Sequence, residues 1–230
     1  MHLRALLLAA AAGVAVSNAH GAADPGKPQE PRMEFAPPAA GSYELQRIQP
    51  APDATLLNAD ARRQRLSDLT HGKITLLTFF YTYCVDPWGC PYAYWTLSGL
   101  RDRLIADPQL ARGVRFVSVS FDPTNDTPEA LRRYGARFMD DPRLEWQFLT
   151  APSVDHLLPL LDGFGQDVRV ERNADGKPTR TLNHMLKMFL IDPHGMIREI
   201  YSLAYLQQPV MLNDMRTLAL ENRSTAARSR

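Results

Sequence analysis

The chain has 230 residues, of which 45% are hydrophobic, and its 26 Lys and Arg nearly balance 25 Asp and Glu to leave a formal net charge of +1. That balance offers no global electrostatic footprint for nucleic acid or an anionic membrane surface, and the length suits one domain with its own core. Cys84 and Cys90 are the only cysteines, so any thiol chemistry is shared between them: a disulfide, or two thiolates on one soft metal ion.

His2 and Arg4 precede an unbroken apolar stretch from Ala5 to Val16, followed by Ser17-Asn18-Ala19. This predicts a secretory signal peptide over 1–23, cleaved after Ala19 or Ala23, because the apolar stretch is too short to span a bilayer. The mature protein is expected to be exported, periplasmic and soluble, with no stable membrane insertion. Residues 24–41 hold five prolines and no apolar periodicity, and are expected to form a disordered tether. The domain is expected over 42–221, with a disordered basic tail over 222–230.

Within the domain, Ile74 to Tyr81 is a continuous β-rich run, as expected of a central strand covered on both faces. It leads to Cys84. Pro91 suits a first helical turn, and Ala93, Leu97, Leu100 and Leu104 follow at helical spacing until Asp107-Pro108. A second buried strand, Val114 to Phe121, completes a βαβ unit. Thr127 then reads as an N-cap with Pro128 at the first helical position and Leu131, Tyr134 and Phe138 on one face. A strand near Trp146 to Leu149 and a helix near Val154 to Leu161, kinked or shortened by Pro159, come next. Strands follow at Val168 to Glu171, Lys187 to Ile191 and Met196 to Tyr201, the last two as a hairpin around Asp192-Pro193-His194-Gly195. A final helix from about Pro209 to Leu220 closes the domain. The order βαβ then ββα, with an exposed cysteine pair after the first main strand, defines an α/β, thioredoxin-like fold: a central mixed sheet flanked by helices, with an N-terminal extension.

Gly72-Lys73, Phe80-Tyr81-Thr82 before the first cysteine, Cys90-Pro91, Phe121-Asp122-Pro123 through Asp126-Thr127-Pro128 with Leu131 and Tyr134, and Asn183-His184 ahead of Phe189 to Gly195 together resemble the Sco/SenC family. The resemblance spans roughly 54–201. It implies a thioredoxin-like copper-binding protein that assists assembly of cytochrome c oxidase, with Cys84, Cys90 and His184 as metal ligands. The same match puts Asp122 near the metal, while an Asx turn after the strand accounts for Asp-Pro equally well. The family places three residues between its cysteines; here Val85-Asp86-Pro87-Trp88-Gly89 places five. Gly89 supplies backbone freedom and Pro87 a bend, which can return the sulfurs to one another.

Cu(I) is a soft ion suited to two thiolates and an imidazole, whereas structural zinc favours four ligands and closer cysteine spacing. The helix dipole marks Cys90 as the more acidic thiol. Trp88 and Asp86 form either a solvated loop tip or a shield that presents the metal. His71, His156 and His194 read as loop or helix-face residues, and Met185 and Met188 as core fillers. The expected function is an exported metallochaperone that holds one copper ion, Cu(I) with Cu(II) also open, rather than catalysing turnover. Its partners would be a cuproenzyme client, in the first place a cytochrome c oxidase subunit, with a copper donor and a thiol reductant protein. The rival is a thiol-disulfide oxidoreductase cycling Cys84 and Cys90 as a redox-active catalytic pair. A peroxidase lacks the upstream proline of its motif, and a purely structural disulfide over so short a loop removes little chain entropy.

Overall fold

The computed structural model describes Met33 and residues 35–84 and 86–228; the signal peptide and Val85 lie outside the described residues. Short elements lead in: β1 (Gln49–Pro50), β2 (Thr55–Asn58), β3 (Arg63–Arg65) and α1 (Leu66–Thr70). The scaffold continues with β4 (Ile74–Phe80), α2 (Cys90–Ile105), α3 (Pro108–Ala111), β5 (Val114–Ser120), α4 (Pro128–Met139), β6 (Glu145–Thr150) and α5 (Val154–Gly163). A hairpin, β7 (Val168–Arg172) and β8 (Pro178–His184), precedes β9 (Lys187–Ile191), β10 (Met196–Ser202) and α6 (Gln208–Arg228).

All seven residues of β4 are buried. Phe80 and Cys90 line one small cleft with Ala93 and Leu97 of α2, Tyr134 of α4 and Phe148 of β6. On the other face Phe79 meets Phe164, at the end of α5, and Phe189 of β9. Both sides of the strand are therefore covered by apolar partners, which is why its sequence does not alternate. β4 pairs parallel with β5, and β5 with β6, while β9 runs antiparallel along the other edge of β4. The complete sheet has the order β1-β10-β9-β4-β5-β6-β2-β3. Only four residues separate β1 from β2, a reach of at most about 18 Å, yet six strand spacings of a flat sheet would be about 29 Å. The sheet must curl to bring its two edges together.

α4 begins as expected: the Thr127 hydroxyl accepts from Ala130 N–H and Pro128 opens the helix. Its Gly135 lies against the Phe148 ring, where a Cβ would approach to 2.6 Å, so helix and strand touch backbone to ring.

Several elements differ from expectation. α5 continues through Pro159 to Gly163. β8 is a strand of mostly exposed, polar residues, with no apolar alternation to announce it. α6 runs to Arg228, where a disordered tail was expected from 222. The end of the expected tether is tied down: Asn213 Nδ2 donates to Pro38 O at 2.8 Å and Gly41 N–H to the Thr217 hydroxyl at 2.9 Å. Arg198, 4% exposed, fastens this leader further, donating to Leu45 O, Gln46 O, Asp192 and Glu221.

Candidate metal centre

The C-terminal end of β4 is anchored before it reaches the first cysteine. Asp126, fully buried, accepts from Thr82 N–H at 3.0 Å, from the Thr82 hydroxyl and from the Ser120 hydroxyl at 2.6 Å. Burial raises its pKa against the pull of those donors. Next in the chain, Cys84 N–H donates to Tyr81 O at 3.3 Å.

The inter-cysteine loop then doubles back. Asp86 accepts from Trp88 N–H through its carboxylate at 3.1 Å and from Gly89 N–H through its carbonyl at 3.0 Å. A Cβ at Gly89 would lie 3.3 Å from Cys84 Sγ, so glycine leaves room for the sulfur. The five-residue spacing therefore does not part the cysteines: the Cys90 thiol donates a hydrogen bond to Cys84. Trp88 is 48% exposed and leans on Tyr92 of α2, ring centroids 5.6 Å apart.

The two thiols are unequal, in the opposite sense to the dipole expectation. Cys84 is pulled down to about 5, chiefly by the hydrogen bond from Cys90, with further support from backbone N–H groups and the Tyr81 hydroxyl. Cys90 is pushed well up, by donating to Cys84, by burial and by the adjacent thiolate charge. Although Cys90 opens α2, its side chain is 3% exposed, and burial with a committed proton outweighs the dipole. The pair is thus not uniformly exposed: Cys84 is half-buried and Cys90 is within the core.

Tyr81, 3% exposed, links the thiols to β8. Its hydroxyl bonds Cys84, and the Leu182 backbone bonds that hydroxyl in turn. Two residues on, His184 packs its ring 4.6 Å from Phe121 and 5.9 Å from Tyr81. Its Nδ1 lies 2.9 Å from Leu182 O. A carbonyl only accepts, so Nδ1 carries a proton, and in the neutral ring Nε2 is the nitrogen left with a lone pair. Among the described residues that buried Nε2 has no hydrogen-bond partner. The structure thus places Cys84, Cys90 and His184 around Tyr81, but among the described residues no three His, Cys, Asp or Glu side chains are close enough to hold a metal ion.

Asp122 meets neither sulfur nor imidazole. It makes an Asx turn, accepting from Asn125 N–H at 3.3 Å, and also takes the Tyr83 hydroxyl and Asn125 Nδ2, the latter at 2.7 Å. Met188 is core, but Met185 is 61% exposed; its carbonyl accepts from buried Gln166 at 3.0 Å. His71 and His194 face each other across a bridge beyond the opposite end of β4, and His156, in the first turn of α5, lies with Nδ1 2.8 Å from the hydroxyl of the N-cap Ser153. Tyr81 and Asp126 were not singled out from sequence. The signals were present: one hydroxyl ending an apolar strand, and a second aspartate in Asp122-Pro123-Thr124-Asn125-Asp126.

A parallel β4-β5-β6 core bordered by antiparallel β9, with a thiol pair between the first core strand and its helix, defines a thioredoxin-like protein. The SCO1/SenC family model matches residues 51–220, and the chain belongs to that family. A SCO1 protein homolog of Bacillus subtilis (strain 168) is 27% identical over 152 residues, 64% of this chain and 71% of the relative. The structure of Arabidopsis thaliana ScoI with copper bound superposes with a TM-score of 0.61 at 20% identity, covering 74% of this chain and 98% of that one. BsSco, a member of the Sco family of cytochrome c oxidase assembly proteins in which a disulfide switch was identified, gives 0.57 at 22% identity, covering 75% and 94%.

Proposed function

We propose that this chain is an exported copper-binding protein that holds one copper ion through Cys84, Cys90 and His184 and passes it to a cuproenzyme, in the first place a cytochrome c oxidase subunit. The observation that carries the reading is the buried Nε2 of His184, which has no hydrogen-bond partner among the described residues, with Nδ1 held by Leu182 O. This is the imidazole form that ligates a metal, its other nitrogen fixed by a backbone carbonyl. The donor set suits a soft ion: one thiolate already formed, a second thiol bonded to it, and an imidazole beyond one tyrosine. Family membership and the copper-bound relatives support the same reading.

Cys84 needs no deprotonation near neutrality, so Cu(I) capture displaces the proton that Cys90 donates, and about one proton leaves per ion. Release to the client proceeds by exchange of these ligands for the client's own, across the loop from Val85 to Gly89. Export rests on the leader sequence, and among the described residues no helix is long and apolar enough to cross a membrane. The test is an anaerobic competitive Cu(I) titration of the reduced mature protein beside Cys84→Ser, Cys90→Ser and His184→Ala. One-to-one binding weakened by all three supports the site; weak binding indifferent to His184 refutes it.

One observation favours a second reading, a thiol-disulfide oxidoreductase that keeps partner cysteines reduced. The ionised Cys84 beside a buried, protonated Cys90 is the arrangement of an attacking and a resolving thiol. Cys84 would attack one sulfur of a partner disulfide and expel the other as thiolate. Cys90, after losing its proton, would then attack Cys84, freeing the partner as a dithiol and leaving the pair oxidised.

A further inference from the structure

The β7–β8 hairpin is a two-stranded sheet separate from the main one, and most of its residues are exposed. A hairpin of two strands is marginal by itself in water, so its contacts with the body of the protein decide where it rests. Leu182 and His184, two residues apart on β8, share one side of the strand, and Arg180 precedes them where the pairing with β7 shifts register. Each has a partner around the first cysteine. The Arg180 guanidinium lies 4.6 Å over the Tyr83 ring, the Leu182 backbone meets the Tyr81 hydroxyl, and His184 rests on Phe121 and Tyr81. Tyr83 is itself held: its hydroxyl donates to Asp122 and accepts from Asn125 Nδ2 at 3.3 Å, and its ring packs 4.9 Å from Tyr81. Among the described residues Arg180 makes no ion pair with a carboxylate, so the tyrosine face is what orders its cation.

We propose that Tyr83 and Arg180 form a clasp that seats the β7–β8 hairpin, and with it His184, beside the cysteine loop. They are positioning residues for the histidine, and Asp122 acts through them by fixing the Tyr83 ring. The consequence for metal rests on the reading of His184 as a ligand; the seating of the hairpin does not.

The experiment is hydrogen exchange on the reduced, metal-free mature protein, comparing wild type with Arg180→Ala, Tyr83→Leu and Tyr83→Phe. An exposed cation–π contact implies amides of 179–184 exchanging about two to five times faster in Arg180→Ala and Tyr83→Leu. Tyr83→Phe, which keeps the ring, should retain most of the protection, and peptides from β9 and α2 should not change. In the Cu(I) titration Arg180→Ala should weaken binding by a similar factor, and lose that effect in a His184→Ala background. Unchanged exchange over 179–184, or loosening spread equally over β9 and α2, would overturn the clasp. An equal copper loss with and without His184 would overturn its action through the histidine. Wild-type copper binding indifferent to His184 would instead refute the copper site, with exchange still deciding the clasp.

Discussion

Replacing Cys90 with alanine should move the acidity of Cys84. The hydrogen bond from Cys90 is the largest cause of the low Cys84 pKa of about 5, against 9.0 for an ordinary thiol. At pH 7 an unperturbed thiol is about 1% ionised and one at about 5 is about 99% ionised, roughly a hundredfold gain in thiolate. Nucleophilicity falls with pKa, and a Brønsted slope of about 0.4–0.5 across about four units removes a factor of roughly 40 to 100. The rate at neutral pH therefore hardly distinguishes the two cases, whereas the pH midpoint does. The assay is the rate of alkylation by iodoacetamide between about pH 4 and 10, with peptide mapping to identify the modified cysteine. Wild type should react at Cys84 with a midpoint near 5, and Cys90→Ala with a midpoint displaced upward. A wild-type midpoint near that of a free thiol, an unmoved midpoint in Cys90→Ala, or first reaction at Cys90 would refute the reasoning.

Asp126→Asn should destabilise the protein by about 1–3 kcal/mol in urea unfolding, since an amide cannot accept all the donors that meet at the carboxylate. Burial raises the folded pKa of Asp126, so its titration-linked stability is fully present below the unfolded pKa of about 4 and is lost as pH rises through the folded value. The gap between wild type and the variant should narrow on that rise, and a widening gap would contradict the assignment. Arg198→Ala should cost about 3–5 kcal/mol by stranding buried Asp192, measured by chemical denaturation, with the alkylation profile of Cys84 unchanged. Gly135→Ala should cost about 1–3 kcal/mol, because its methyl would meet the Phe148 ring; calorimetry reads the loss.

Elements set by burial were legible in the chain. β4, β5, α2 and α4 carry apolar runs or helical spacing, together with Pro91, Thr127 and Pro128 at the helix starts, and each lies within a residue or two of its expected place. β8 was not legible, because Pro178-Thr179-Arg180-Thr181-Leu182-Asn183-His184 owes its position to a cation over a ring and a tyrosine hydroxyl rather than to hydrophobic pattern. The lead-in strands β1 to β3 lie toward the edges of the sheet and are two to four residues long, too short to show a period. At the site, spacing identified the cysteine pair but not its asymmetry. A helix start argues for an acidic Cys90 only while its sulfur faces water, and which way that sulfur faces is decided by the packing of α2 on β4. His184 emerged from resemblance; its open nitrogen became visible only once the strand was placed.

The two sulfurs also differ in what each can do mechanically. Cys90 is the first residue of a sixteen-residue helix and lies in the core, with Ala93 N–H bonded back to Gly89 O at 3.0 Å. Cys84 hangs on a short loop folded around the Asp86 turn. Any rearrangement of the pair, whether closing a disulfide, gripping a cation or yielding it, should therefore divide unevenly, with α2 as the fixed jaw and Cys84 as the side that adjusts. The five-residue spacing adds its length on the Cys84 side and leaves untouched the helix that anchors the other sulfur.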